Sequence, residues 1–263
     1  WSNLCMYKNI LILDLYKIAN YRISKDTSGG YGTGNNFGYS FIPKLLMKLL
    51  KKNSEWPPLF AAYTYSALKT KGYEVEYKKN LPKDFNKYDL FIIVSSIVCS
   101  ETEILEIAKL KKLNKKIFVV GPFATNMPHL YTAAGATVIS GEPEFYFMKD
   151  QNFDEDLNKK VVNVNYDILL DDLPYPKWHE MDVELLNIKL YGNYKTIPII
   201  ATRGCPFSCS KYCVYPLQQG TKVRQRSVKK IVDEMEYWKK RHSVNMFVFR
   251  DPVFSINKKH TLE

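Results

Sequence analysis

Residues 88–121, "YDLFIIVSSIVCSETEILEIAKLKKLNKKIFVVG", carry the pattern that decides the fold. "LFIIV" is a short, unbroken apolar run rich in branched residues, the composition of a strand buried on both faces. "ETEILEIAKLKKL" has the period of an amphipathic helix, and "KKIFVVG" is a second buried strand. Two buried strands joined through a helix pair in parallel, because a parallel return needs a crossover. The same alternation extends both ways. Upstream lie the strand "NILILDL" from Asn9, a helix in "PLFAAYTYSALKTKG" that begins beside a proline and ends at Gly72, and the strand "YEVEY"; downstream come a helix near "MPHLYTAAG" and the strand "ATVISG". The pattern predicts an α/β fold, a doubly wound parallel sheet over residues 1–150. In such sheets ligands sit beyond the carboxyl ends of the strands, which marks "DLYKIA", "SSIVCSE", "GPFATNMP" and "GEPEF" as candidate loops.

Between the first strand and its helix runs "TSGGYGTGNNFGYS", where Gly29, Gly30, Gly32, Gly34 and Gly38 permit turns closed to other residues. No GxGxxG stands directly between strand and helix, so a flexible connection is favoured over a phosphate cradle. Residues 151–192, with "DDLPYPKWHEM", read as a linker anchored by Tyr175 and Trp178. From residue 193 a second unit opens. "KTIPIIATRGC" is a strand that runs into a cysteine loop; "RSVKKIVDEMEYWKKRH" is a helix with Ser227 as N-cap and Val228, Ile231, Val232, Met235 and Trp238 at helical spacing; "NMFVFRD" is a further strand. Strand, loop, helix and strand make one parallel crossover.

The chain has 263 residues, 46% of them hydrophobic, enough for one large or two ordinary buried cores. The N-terminus lacks the pattern of a secretory signal and no run of about 18 apolar residues occurs, so no membrane span and a cytoplasmic setting are expected. The net charge of +11 is spread along the chain instead of forming a block, so no nucleic-acid partner is expected. The chain starts at Trp1 and stops at "INKKHTLE", where a helical pattern begins; both ends read as cut.

Five cysteines in a long chain without a secretory signal argue against a disulfide framework. Three of them, Cys205, Cys209 and Cys213, fall within nine positions of "TRGCPFSCSKYCVYP", at the carboxyl end of a predicted strand. Soft thiolates suit zinc or an iron-sulfur cluster. No second pair of Cys or His stands at zinc spacing, which favours iron-sulfur. Cys5 and Cys99 stand alone and read as buried, inert thiols. His129, His179, His242 and His260 form no ligand pattern.

"RGCPFSCSKYCVYP", with the following "RQRSVKKIVDEMEYW" and "FVFRDPVFSINKKHTLE", resembles the start of the radical S-adenosylmethionine (SAM) barrel. The preceding unit, with "VVGPFATNMP" and "GEPEF", resembles the Rossmann-like cobalamin (B12)-binding domain fused ahead of that barrel in many such enzymes. The resemblance implies the first repeats of a (β/α) barrel over residues 193–263, truncated early. It implies a [4Fe-4S] cluster held by Cys205, Cys209 and Cys213, with SAM chelated at the open iron, Tyr212 near its adenine and Asp251 near its methionyl amine. Packing is the plain alternative for Tyr212, and a helix cap for Asp251. Here both gaps between cysteines are three residues, where the family has three and then two. Removing Lys211 would restore the usual pattern, and the extra reach of at most about 3.5 Å can be absorbed by a bulge.

For cobalamin, the resemblance places Tyr16 where the family's Asp-x-His-x-x-Gly loop has its cobalt-ligating histidine, after Asp14 and before Ala19; no protein histidine on cobalt is expected. It places Ser95 and Ser96 around the nucleotide tail, Gly121, Pro122 and Thr125 in the next loop, and Gly141 with Glu142 in the last. The implied activity is reductive SAM cleavage for radical modification or methylation of an unknown substrate, fed by an electron donor such as ferredoxin or flavodoxin. The alternatives left open are a non-catalytic corrinoid-binding module and a thiol or zinc redox interaction protein, inactive as a fragment.

Overall fold

The computed structural model describes the chain apart from residues 1–6, 17–20, 31, 37–39, 44, 46–55, 166–167, 191, 208 and 210–211. Cys5, Ala19, Gly38 and Lys211, singled out above, lie outside the described residues.

In chain order the first unit runs β1 (Asn9–Leu13), β2 (Tyr21–Ser24), β3 (Thr33–Asn36), α1 (Leu59–Thr70), β4 (Glu74–Lys78), β5 (Leu90–Val94), α2 (Ser100–Lys112), β6 (Lys116–Val120), α3 (Pro122–Asn126), α4 (Pro128–Ala133), β7 (Thr137–Ser140), α5 (Pro143–Phe147), α6 (Phe153–Leu157) and β8 (Val161–Asn163). Then follow α7 (Trp178–Met181), β9 (Lys189–Leu190), β10 (Tyr194–Ile199), β11 (Thr202–Arg203), α8 (Tyr215–Gln219), β12 (Arg224–Gln225), α9 (Val228–His242), β13 (Met246–Phe249) and α10 (Lys258–Leu262).

The expected parallel sheet is present, with six strands in the order β4-β1-β5-β6-β7-β8. β4 and β5 leave β1 on opposite sides, so the strand order reverses around β1 and the loops after β1 and β5 flank the switch point. Alternate residues of each strand supply the two faces. Ile10, Ile12, Ile92, Val94, Phe118 and Val120 pack under α1 and α5; Leu11, Leu13, Phe91, Ile93, Ile117 and Val119 pack with Ile107 and Leu110 of α2 and with Tyr131. The first of these cores continues into Trp178, Ile197, Trp238 and Val244, so one face of the sheet shares its interior with the second unit.

Three features differ from the sequence reading. A sixth strand, β8, pairs with β7 within the segment read as linker; at three residues it is too short to show a period. The Gly-rich stretch contains β3, which pairs antiparallel with β2, because glycine weakens a strand's signature without preventing the ladder. Val232 is exposed on α9, because Glu234 is buried to pair with Arg226 and turns the buried stripe to Ile231, Glu234 and Trp238. The crossover itself is as expected: β10 pairs in parallel with β13, Thr196 opposite Met246 through Ile199 opposite Phe249, and the Ser227 hydroxyl caps α9 by accepting from the Lys230 N–H.

Trp178 is fully buried and ties the segment between the units to their common core. Trp178→Ala is expected to cost about 3–5 kcal/mol in urea unfolding, whereas Val232→Ala should change stability by less than about 0.5 kcal/mol. Equal losses in the two variants would contradict the shared core.

Candidate functional site

The cysteine loop leaves the carboxyl end of β10 through a tightly pinned junction. Asp251, just beyond β13, accepts from the Ala201 N–H through Oδ1 at 2.8 Å and from the Thr202 N–H through the same oxygen. Arg226 donates to the Ile200 carbonyl at 2.9 Å and its own N–H bonds the Ala201 carbonyl. β11 pairs with β12, Arg203 opposite Arg224. Gly204 follows with φ +89°, and a Cβ there would run into the Lys222 carbonyl, so only glycine fits. The Gly204 N–H bonds Gln219 Oε1 at 3.0 Å and the Cys205 N–H bonds the Gly220 carbonyl at 3.1 Å.

Cys205 is therefore buried on a fixed backbone, while Cys209 is exposed with φ +28° and Cys213 is half-buried. Tyr212 is 66% exposed, and its N–H reaches the Cys209 carbonyl at 3.4 Å. Among the described residues no three Cys, His, Asp or Glu side chains group as a metal site. The second oxygen of Asp251, Oδ2, is buried without a hydrogen-bond partner among the described residues. Burial raises the Asp251 carboxyl above its usual range against the lowering effect of the Thr202 and Ala201 hydrogen bonds. Cys99 is buried at the start of α2, far from the other thiols in sequence.

Beyond the sheet, the predicted loop residues turn inward. Ser95 Oγ accepts from the Ala124 N–H at 3.0 Å; the Ser96 hydroxyl and N–H both donate to Glu103, each 3.0 Å from Oε1. Thr125 Oγ1 accepts from the Gly141 N–H at 3.0 Å. Gly121 has φ +112° and lies against Phe60, whose Cζ is 2.8 Å from where a Cβ would sit. Pro122 opens α3 and is buried. Asp14 is buried in contact with Lys25 Nζ at 2.5 Å and with the Tyr77 hydroxyl at 2.6 Å, and Lys25 also lies 3.5 Å from Glu103. Tyr16 packs near two cations, its ring centroid 4.9 Å from Lys25 Nζ and 5.3 Å from Lys79 Nζ. Burial raises the Glu103 carboxyl although Lys25 opposes it, and Asp14 and Glu103 outweigh burial to raise the Lys25 ammonium.

Glu142 meets the cysteine unit directly. It accepts from Arg203 Nη1 at 2.5 Å and from Arg224 Nη2, while Glu144 accepts from the same Arg203 nitrogen. The Arg203 guanidinium also lies 4.8 Å from the Tyr63 ring centroid. Lys25, Arg203, Glu144 and Arg224 are functional candidates that sequence reading missed. The available signal was opposite charge at two predicted loop ends, "GEPE" and "TRG", which a single sequence does not pair. Asp26 is another: it accepts from the Tyr215 hydroxyl at 2.6 Å and from Arg250 Nη2 at 3.3 Å, laying the Gly-rich loop against α8 and the end of β13.

No protein-family model matches the chain. It is similar to the uncharacterized methyltransferase PH0819 of Pyrococcus horikoshii, 25% identical over 79% of this chain and 51% of that protein. It is also similar to the bacteriochlorophyllide d C-12(1)-methyltransferase of Chlorobaculum tepidum, 24% identical over 70% of this chain and 40% of that one. Among solved structures it resembles the radical S-adenosylmethionine methyltransferase TsrM from Kitasatospora setae. The form with tryptophan substrate and a SAM analog bound matches with a TM-score of 0.58, covering 97% of this chain and 49% of that one at 15% identity. The form with cobalamin and a [4Fe-4S] cluster bound matches with a TM-score of 0.55. The likeness to TsrM is one of fold, and the chain spans about half the length of these relatives.

Burial and the neighbouring Glu142 raise the Glu144 carboxyl from 4.5 to about 7, although Arg203 opposes the shift. Between these values the folded state holds a proton that the unfolded chain has released, so this group's contribution to stability declines as pH rises from about 4.5 to 7. Thermal unfolding across that window should show a less negative slope in Glu144→Gln than in the unsubstituted chain. Identical slopes would contradict the assignment.

Proposed function

We propose that this chain forms the cofactor-binding part of a radical SAM methyltransferase, with residues 1–150 as the sheet domain, completed by strand β8 from within the segment 151–192 that otherwise serves as the linker, and 193–263 as the first repeats of the barrel. The observation that carries the reading is the trio Cys205, Cys209 and Cys213 on a loop at the carboxyl end of β10, beside Asp251 at the end of the neighbouring parallel strand. The similarity to methyltransferases and the shared fold with TsrM support it.

By the chemistry of the donor set, three soft thiols on one loop fit a [4Fe-4S] cluster. When bound, the cluster supplies the single electron that cleaves SAM, drawn from a donor such as ferredoxin or flavodoxin. The chain's residues then have distinct tasks. Cys205 offers a thiol from a backbone fixed by Gly220; Cys209 and Cys213 offer thiols from the outer part of the loop. Asp251 pins the strand-to-loop junction through Oδ1 and keeps Oδ2 to accept from an ammonium such as the methionyl amine. Tyr212 presents an exposed ring to a purine face.

Of the residues expected to receive cobalamin, Ser95, Ser96, Thr125, Asp14 and Glu142 direct their polar atoms to partners inside the protein, and Phe60 lies against Gly121. The shared fold with the cobalamin-bound form of TsrM supports cobalamin as a cofactor in general. No step is assigned to cobalamin.

Anaerobic reconstitution with iron and sulfide should load about four irons per chain. Adding SAM should perturb the electron paramagnetic resonance signal of the reduced protein, and Cys205→Ala, Cys209→Ala and Cys213→Ala should each abolish it. Zinc retention without iron would instead support the thiol or zinc reading, and iron uptake that survives removal of all three cysteines would overturn the proposal.

A further inference from the structure

Arg203 stands two positions before Cys205, yet its side chain belongs to the other unit. Its guanidinium is buried among Glu142, Glu144, Tyr63 and Phe145, contributed by α1, α5 and the residue that precedes α5. One nitrogen, Nη1, serves both carboxylates, while Arg203 Nε and Glu144 Oε2 are left without hydrogen-bond partners among the described residues. This is poor satisfaction for a buried charge. A buried ion pair with incomplete hydrogen bonding adds little net stability compared with apolar packing, so stability does not account for the arrangement.

What the arrangement does fix is position. The Arg203 backbone is held opposite Arg224, and Arg224 reaches the same Glu142. The next residue must be glycine, and the one after it, Cys205, has its N–H on the Gly220 carbonyl. The first thiol is thus separated by a single residue, Gly204, from a side chain clamped by the sheet unit, whereas Cys209 has no such tie among the contacts described and is exposed.

We propose that Arg203 is a positioning residue that sets Cys205 relative to the sheet unit, acting through Glu142 and Glu144. The inference rests on the reading of Cys205 as a cluster ligand. Lysine keeps the charge but not the planar guanidinium that lies 4.8 Å from the Tyr63 ring centroid and 5.9 Å from that of Phe145, so it cannot hold the same place between the two rings.

The test is peptide-resolved alkylation of the full chain by iodoacetamide under anaerobic conditions, comparing Arg203→Lys and Glu144→Gln with the unsubstituted protein. Cys99, buried in the sheet unit, reports global unfolding, and exposed Cys209 reports intrinsic reactivity. The unsubstituted chain should protect both Cys205 and Cys99. In Arg203→Lys, Cys205 should react on the order of tenfold faster while Cys99 stays protected. Should Arg203→Lys open Cys99 as well, Glu144→Gln must raise Cys205 labelling with Cys99 still protected. The proposal is overturned if Cys205 keeps its protection in a variant whose Cys99 is protected, or if both variants open the two thiols only together. Iron uptake by the unsubstituted chain tests the cluster reading separately, because the alkylation pattern requires no cluster.

Discussion

Two carboxylates from the end of the parallel sheet, Glu142 and Glu144, meet two guanidiniums from the cysteine unit, Arg203 and Arg224, in a nearly dry interior. Removing one partner from such a group leaves a buried charge uncompensated, at a cost of about 3–5 kcal/mol. That penalty holds the two units in one relation. The apolar interior shared by Phe118, Trp178, Ile197 and Trp238 supplies cohesion without direction, and the charges supply the direction. The cysteine loop inherits its starting point from this junction.

A second buried charge group lies at the switch point of the sheet. Asp14, Lys25 and Glu103 come from the loop after β1, the segment after β2 and helix α2, with Tyr77 and Tyr131 donating to the two acids. In an open parallel sheet this is where ligands are expected, and here the chain's own ammonium stands between the acids. Together with Phe60 over Gly121, the group explains why the loops named from sequence turn their polar atoms inward. The two charge groups share one feature: acids on the side of the sheet where its strands end are neutralised by cations from distant segments of the chain.

The sequence legible as fold was the part with an unambiguous period. Buried runs such as Leu90–Val94 and Lys116–Val120 can only be interior strands when a helix like Ser100–Lys112 separates them, and the parallel sheet follows. β8, β9, β11 and β12 are two or three residues long, below the length at which a period exists, and only tertiary pairing defines them. The place of the cysteine loop was legible because a strand signature, "KTIPII", runs straight into it. Arg203 and Lys25 were not, because a charged residue reads as solvated unless its distant partner is known. Val232 failed for the same reason: the buried Glu234 that rotates α9 is explained only by Arg226.

The central claim is that three thiols starting from this fixed junction hold an iron-sulfur cluster although one extra residue separates the last two. Iron K-edge X-ray absorption on the anaerobically loaded chain addresses it most directly. The account predicts a first shell of sulfur with iron neighbours beyond it, and the appearance of nitrogen or oxygen donors on addition of SAM. A shell of light atoms alone, with no iron neighbours, would contradict it.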